Sequence, residues 1–143
     1  MELPGTVTPP TAPPRPKRTR PSSLAIVERG FRGTLEEQYG NIVWLSECMR
    51  AMRANHNLLL RGAAVACAFE TRNRQALTLA GLRIDTLGHF PDALRSLIAR
   101  GARVWVPHCD LEAYCNHPPL VEGVEVTSDV IALITHHDKC WYW

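Results

Sequence analysis

A histidine and a cysteine stand side by side where an apolar stretch of the chain ends. Residues 104–106 are Val-Trp-Val, Pro107 follows them, and His108 and Cys109 come next. In open α/β sheets, ligands bind at the carboxyl ends of the strands, and a thiolate placed there is a strong nucleophile. Cys109 is therefore the candidate catalytic thiol, and His108 is a candidate for proton transfer beside it. Residue type alone leaves open that Cys109 is an ordinary small structural residue.

Arginines and glycines follow two other apolar stretches. Arg29 follows residues 24–27, with Arg32 and Gly33 in the turn after it, and Arg61 directly follows residues 57–60. If these strands are neighbours, their carboxyl ends share one crevice that offers backbone N–H groups and positive charge. Such a crevice favours anions and stabilises a thiolate. These four residues are the predicted anion-binding set, although the arginines could instead be solvated loop charges.

The other cysteines have different predicted roles. Cys115 ends the short helix predicted after residue 109 and is the secondary thiol candidate. Cys67 lies in an apolar helix and Cys140 in an apolar last strand, so both are predicted to be core residues. Cys48 follows Trp44 by four residues on one helix face, and packing explains both. Five cysteines at irregular spacing indicate reduced thiols rather than a disulfide framework.

No cofactor is predicted from the sequence, and zinc is not favoured. Two groups of possible ligands lie close together in the sequence, but neither has the paired cysteine spacing of a structural zinc site. The groups are Cys109, Cys115 and His117, and His136, His137 and Cys140.

Alternating strands and helices are predicted to position these side chains. Thr34 and Glu37 form a capping box, and a helical stripe of apolar residues follows it at positions 35, 39, 42, 45, 49 and 52. Pro91 suits the first turn of a helix that ends before Gly101. Residues 70–80 are predicted to be a loop. Strands are predicted at 24–27, 57–60, 82–84, 104–106, 124–126 and 139–143, and helices at 63–69, 110–114 and 127–136, the last capped by Thr127 or Ser128.

This order of elements predicts an α/β fold, a three-layer sandwich with a mostly parallel sheet of five or six strands. Residues 1–22 contain seven of the eleven prolines and are predicted to be a disordered tail, so the α/β domain is residues 23–143. The net charge is +2, with about +3 in the first 23 residues. The domain therefore has no overall basic character, and nucleic acid is not its expected partner. No membrane span or secretory signal is visible, which favours a cytoplasmic protein.

From residue 24 to residue 143 the chain resembles the DsrE/DsrF-like family, small proteins of intracellular sulfur trafficking. The resemblance rests on the first strand with its capped helix, Leu-Leu-Leu-Arg-Gly at 58–62, and Arg-Gly-Ala-Arg-Val-Trp-Val at 100–106. Its most specific part is Leu-Val-Glu-Gly-Val-Glu-Val at 120–126, followed by a capped helix, Asp138 and the last strand.

The resemblance implies a flavodoxin-like sandwich, homo- or hetero-oligomers, and a cysteine that accepts sulfur as a persulfide. That cysteine usually follows directly after the strand at 104–106. Here Pro107 takes that place, Cys109 comes two residues later, and the common C-x-x-C form is absent.

Two functions follow from these observations. One is a sulfur-relay protein, a possible sulfurtransferase, in which Cys109 takes sulfur from a donor protein and passes it to an acceptor protein. The other is a non-catalytic binding or assembly subunit whose crevice holds an anion or a nucleotide. Hydrolase motifs such as G-x-S-x-G and H-E-x-x-H are absent from the sequence.

Overall fold

A computed structural model describes residues 20–29, 31–32, 36–71, 77–84 and 89–143 of the chain. The predicted tail therefore lies almost entirely outside the described residues. In chain order the strands are β1 (Ser22–Val27), β2 (Phe31–Arg32), β3 (Glu36–Glu37), β4 (Asn55–Leu60), β5 (Leu77–Leu79), β6 (Leu82–Ile84), β7 (Val104–Pro107), β8 (Val124–Thr127) and β9 (Lys139–Tyr142). The helices are α1 (Gln38–Ala51), a 3₁₀ helix (Gly62–Ala68), α2 (Phe90–Ala99), α3 (His108–Glu112) and α4 (Val130–Thr135).

Five of the strands form one parallel sheet in the order β8-β7-β4-β1-β9. The chain moves in one direction across the sheet from β1 to β4, β7 and β8, and it then returns past three strands to place β9 beside β1. Because such connections are right-handed, the reversal puts α4 on the opposite face from α1 and α2. The prediction of an α/β sandwich with a mostly parallel sheet is confirmed.

Each face of the sheet has its own core. One face buries Ala25, Leu58 and Val104 with their alternate neighbours under α1, α2 and the 3₁₀ helix. The other face buries a smaller cluster, which includes Leu59 and Trp105, under the apolar side of α4. Successive residues of a strand point to opposite faces. A strand covered on both faces is therefore apolar throughout, which is why the runs at 24–27 and 58–60 were recognisable as strands.

Asp138 ties the beginning of β9 to the beginning of β1. Its carboxylate accepts hydrogen bonds from the Ser22 backbone N–H at 2.7 Å and from the Ser22 hydroxyl at 2.9 Å. These bonds, the backbone N–H first, hold the pKa of Asp138 below its usual range. The aspartate that precedes the last strand thus closes the sheet at its β9 edge.

The predicted start of the first helix is wrong. Helix α1 begins at Gln38, and Glu37 lies in β3, which pairs antiparallel with β2. Since the backbone of Glu37 is engaged in that pairing, the residue cannot be the third position of a capped helix. Thr34, the predicted cap, lies outside the described residues. The predicted apolar stripe is also wrong in part, because Ile42 is buried whereas Met52 is 73% exposed.

Two further boundaries differ from the prediction. The predicted loop at 70–80 contains β5, which forms a hairpin with β6. Asp129, rather than Thr127 or Ser128, caps α4, because its Oδ1 accepts the Ala132 N–H at 2.8 Å. The Thr127 hydroxyl oxygen instead accepts the Asp129 N–H at 3.3 Å.

Pro91 does lie in the first turn of α2, and Gly101 follows that helix with a φ of +85°. Both positions confirm the predicted helix, since a positive φ after a helix end favours glycine.

Candidate functional site

Helix α3 brings the candidate thiol to the carboxyl end of the parallel sheet. The helix starts directly after β7, two residues earlier than predicted. His108 and Cys109 therefore lie in its first turn. Cys109 is exposed to solvent. The structure therefore puts the thiol at the sheet end where ligands bind in open α/β folds.

Asp110 fastens this helix to the neighbouring strand β4. Its Oδ2 accepts the Gly62 backbone N–H at 3.0 Å and the Arg61 Nε–H at 3.3 Å. The Tyr114 hydroxyl donates to the Gly62 carbonyl at 3.2 Å from the other end of the helix. The sequence shows an acidic residue next to Cys109, but the contact with Gly62 spans 48 positions and was not predicted.

The charge at this edge is mixed rather than positive. The Arg61 guanidinium faces Asp110 and also lies 3.9 Å from the Glu28 carboxylate. The Tyr142 hydroxyl bonds to Glu28 as well, and that bond raises the pKa of Tyr142, while the weaker effects of the Arg61 and Arg29 charges lower it. Arg29 and Arg61 thus reach the same end of the sheet, but two carboxylates accompany them.

For the other two members of the anion-binding set, the assignment stays a prediction. Arg32 belongs to β2. Gly33 lies outside the described residues. A cluster of three arginines around Cys109 therefore stays a prediction.

The imidazole of His108 pairs with Glu112. Its Nδ1 lies 3.6 Å from Glu112 Oε1, one helical turn further along α3, and both side chains are largely exposed. The Cys109 thiol donates to Asp110 Oδ1, with an Sγ–Oδ1 distance of 3.8 Å. Proton transfer by His108 therefore stays a prediction.

The remaining cysteines differ in exposure. Cys115 is exposed in the turn after α3, and Cys67 is buried, as predicted. The prediction that Cys140 is a core residue is wrong: it is exposed because β9 is an edge strand of the sheet. The partial burial of its thiol, which lies 3.7 Å from the Ile134 carbonyl, still raises its pKa.

A buried histidine lies beneath α1, on the sheet face that carries most of the core. His56 is 1% exposed. The Ser46 hydroxyl donates to the Ile42 carbonyl at 2.8 Å and accepts from His56 Nε2 at 3.0 Å, and His56 Nδ1 accepts from the Ser23 hydroxyl at 2.8 Å. Each side-chain polar atom of Ser46, His56 and Ser23 is therefore hydrogen-bonded while the imidazole is neutral.

The neutral form of His56 is strongly favoured. Burial, with smaller contributions from the charges of Arg50 and His137, lowers the pKa of His56 to about 4. Sequence analysis missed this residue, because a polar residue at the beginning of a strand gives no sign that it will be buried. Its bonding to two serines and its place in the core indicate a structural role.

A groove of about 590 Å³ runs between α4 and strand β7 on the other face. Asn57 forms its polar centre, donating to His137 Nε2 at 3.0 Å and accepting the Arg103 N–H at 3.0 Å. The Arg103 guanidinium lies over the Trp105 ring at 4.6 Å and binds Glu125 through two nitrogens. Cys109 does not line this groove. The polar groups of Asn57 in the groove are bonded to His137 and to the Arg103 backbone.

Within the described parts of the chain, no three His, Cys, Asp or Glu side chains come close enough together to hold a metal ion. Among the helices that the structure describes, none has the length and apolar character needed to cross a membrane.

The sequence matches no family model and no curated protein. Among solved structures, the fold is similar to the crystal structure of the ychN protein from E. coli, with a TM-score of 0.66. The two share 15% sequence identity, and the match covers 86% of this chain and 99% of that chain. This likeness agrees with the α/β sandwich predicted from the sequence.

Proposed function

We propose that this protein is a DsrE-like sulfur-relay protein that carries sulfur as a persulfide on Cys109. The observation that carries the proposal is the place of this thiol. Cys109 is exposed in the first turn of α3, at the carboxyl end of a parallel strand and next to the end of β4. The resemblance to the DsrE/DsrF-like family supports the same function, because the family's cysteine follows directly after the strand that corresponds to residues 104–106, and Cys109 lies two residues beyond that place.

The proposed chemistry consists of two exchanges at sulfur. The Cys109 thiolate attacks the terminal sulfur of a persulfide on a donor protein. The new S–S bond forms as the donor's S–S bond breaks, and the donor leaves as a thiolate. An acceptor thiolate then attacks the terminal sulfur on Cys109 and releases the Cys109 thiolate. Each step exchanges one S–S bond for another, so neither needs an oxidant or a reductant.

Asp110 is the residue that holds the thiol in position. Its Oδ1 lies 3.8 Å from the Cys109 sulfur and accepts a hydrogen bond from it. Gly62 and Arg61 hold the other carboxylate oxygen, so the carboxylate keeps its position beside the thiol. His108 and Arg29 are exposed at the same end of the sheet, where they can contact the donor or acceptor protein.

Mapping the persulfide by mass spectrometry tests the proposal. The protein is incubated with a persulfide donor, the remaining thiols are blocked, and its peptides are analysed. We expect one added sulfur atom on Cys109, loss of loading in Cys109→Ser, and unchanged loading in the matched control Cys115→Ser, which removes the other exposed thiol near α3. Equal loading of wild type and Cys109→Ser would refute the proposal.

One observation favours the second candidate, a non-catalytic binding or assembly subunit. Reactive cysteines usually lie in electropositive surroundings, whereas the Cys109 thiol donates its hydrogen bond to a carboxylate. The rate of alkylation of each cysteine against pH separates the two functions. Fast alkylation of Cys109 near neutral pH supports the relay, and five slow thiols support the binding subunit.

A further inference from the structure

The stretch of chain that carries Cys109 is acidic. Residues 104–138 contain six aspartates and glutamates, and all sixteen lysines and arginines of the protein lie outside this stretch. The stretch forms β7, α3, β8 and α4. Two of its acidic residues, Asp110 and Glu112, share the short helix α3 with the thiol. Any positive charge of a lysine or arginine beside Cys109 must therefore come from another part of the chain.

The Asp110 carboxylate is a negative charge fixed next to the sulfur. Its Oδ2 is held by the Gly62 N–H at 3.0 Å and by the Arg61 Nε–H at 3.3 Å. Its Oδ1 accepts the hydrogen bond of the Cys109 thiol, with an Sγ–Oδ1 distance of 3.8 Å. The Asp110 side chain is 19% exposed, so solvent screens its charge only in part. A reactant that reaches the sulfur must therefore approach this carboxylate as well.

The arginines described at this end of the sheet do not offset that charge. The Arg61 guanidinium lies 3.3 Å from Asp110 and 3.9 Å from Glu28, so one positive charge serves two negative ones. Arg29 follows β1, and β4 separates that strand from β7. With roughly 4.8 Å between neighbouring strands, the Arg29 backbone lies about 10 Å from the end of β7, which exceeds one Debye length at physiological salt. The surroundings of the thiol are therefore net negative.

We propose that Asp110 is a specificity-determining residue that makes Cys109 reject small anionic sulfur donors such as thiosulfate. The donor that the thiol accepts is a protein whose own cysteine is flanked by lysine or arginine, because those cations pair with Asp110 and Glu112. Like charges brought together exclude a wrong partner, and complementary charges speed the encounter with the right one. The inference rests on the proposed function, since it names the class of sulfur donor for that site.

Alkylation of Cys109 with two reagents of different charge tests the proposal without any sulfur donor. Iodoacetate is an anion and iodoacetamide is neutral, but both react with the same thiolate. The ionised fraction of the thiol therefore cancels in the ratio of the two rate constants, which mass spectrometry of the Cys109 peptide measures. Repulsion between like charges about 4 Å apart slows a reaction about fivefold even in water. We expect Asp110→Asn to raise the ratio of the iodoacetate rate to the iodoacetamide rate by at least that factor.

Glu122→Gln is the matched control. It removes one negative charge from the same acidic stretch, but Glu122 is exposed before β8, at the opposite end of the sheet from Cys109. Because salt screens charges at that distance, the ratio should stay within about twofold of the wild-type value. Asparagine keeps an oxygen for the Gly62 N–H, so Asp110→Asn is expected to fold, and circular dichroism checks this.

Salt dependence tests the same charge in the unaltered protein. Raising the ionic strength from about 0.01 M to about 1 M shortens the Debye length from about 30 Å to about 3 Å. Relative to a small neutral thiol, the wild-type ratio at Cys109 should rise toward that of Asp110→Asn. An unchanged ratio in Asp110→Asn, an equal rise in Glu122→Gln, or a wild-type ratio that ignores salt would overturn the proposal. The expected ratios in a protein that takes up no sulfur would overturn the proposed function alone.

Discussion

Acidification should destabilise this protein through His56. The imidazole is neutral and fully hydrogen-bonded in the folded chain, where its pKa is about 4, and in the unfolded chain its pKa is about 6.5. Between these two pH values the unfolded state binds a proton that the folded state does not. Stability therefore falls as the pH falls from 6.5 to 4, and His56 adds no further loss below pH 4.

The size of this effect follows from the two pKa values. Each pKa unit is worth about 1.4 kcal/mol, so the complete transition costs about 3 kcal/mol. That is a large part of the 5–15 kcal/mol that typically stabilises a domain. The loss should be half complete near pH 5, whereas the contribution of Asp138, whose pKa is lowered in the folded state, is lost mainly below the ordinary aspartate pKa of about 3.9.

Urea unfolding between pH 4 and pH 8 measures this loss, with His56→Gln as the comparison. Glutamine keeps a donor for the Ser46 hydroxyl but has no titratable group. The variant should be less stable at pH 7 and should lose about 3 kcal/mol less than the wild type between pH 6.5 and pH 4. Parallel loss in the two proteins, or an NMR titration of His56 with a pKa near 6.5, would refute the reasoning.

Gly101→Ala should destabilise the protein more than Gly81→Ala in thermal unfolding. Both positions have a positive φ, but a Cβ at Gly101 would lie 2.7 Å from Arg50 Nη2, while the space at Gly81 is open. Equal losses of stability would show that Arg50 moves aside freely. Asp129→Ala should lower the free energy of unfolding by about 1 kcal/mol, because it removes the N-cap of α4. Ser128→Ala should change the free energy of unfolding by less than about 0.5 kcal/mol. The reverse order would mean that the cap of α4 is misassigned.

The fold could be predicted from the sequence because its central strands are buried on both faces. The short apolar runs at 24–27 and 58–60 are typical of strands buried on both faces, and the prolines and glycines between the runs separate them into alternating elements. Pro91 and Gly101 marked the ends of α2 for the same local reason. These signals lie within a few residues of the feature that they predict.

The predicted helix starts were wrong where a segment is compatible with two local structures. The segment containing Glu37 reads as a capped helix, but a two-residue strand pairing decides the outcome. Thr127, Ser128 and Asp129 are all residue types that cap helices, and only the hydrogen bond from the Ala132 N–H to Asp129 shows which of the three does so. The helical stripe gave the period of α1, but the period alone could not show that Leu45 and Met52 face solvent.

The sequence predicted that Cys109 follows a strand, but not the contacts made by its neighbour Asp110. Cys109 was recognisable from the strand that precedes it. The Asp110 carboxylate is held by Arg61 and Gly62, which lie almost fifty residues earlier in the sequence. A contact over that distance cannot be predicted from a local sequence pattern. The same contact places a carboxylate where the sequence had predicted a cationic crevice.

Onward transfer of sulfur from Cys109 tests the central claim most directly. The protein is loaded from a donor that carries a radiolabelled terminal sulfur, separated from that donor, and mixed with an acceptor protein that exposes a free thiol. We predict that the label leaves Cys109 and appears on the acceptor in a single turnover, and that Cys109→Ser neither takes up nor passes on the label. Label that never reaches Cys109, or that stays on it while the acceptor remains unlabelled, would contradict the account.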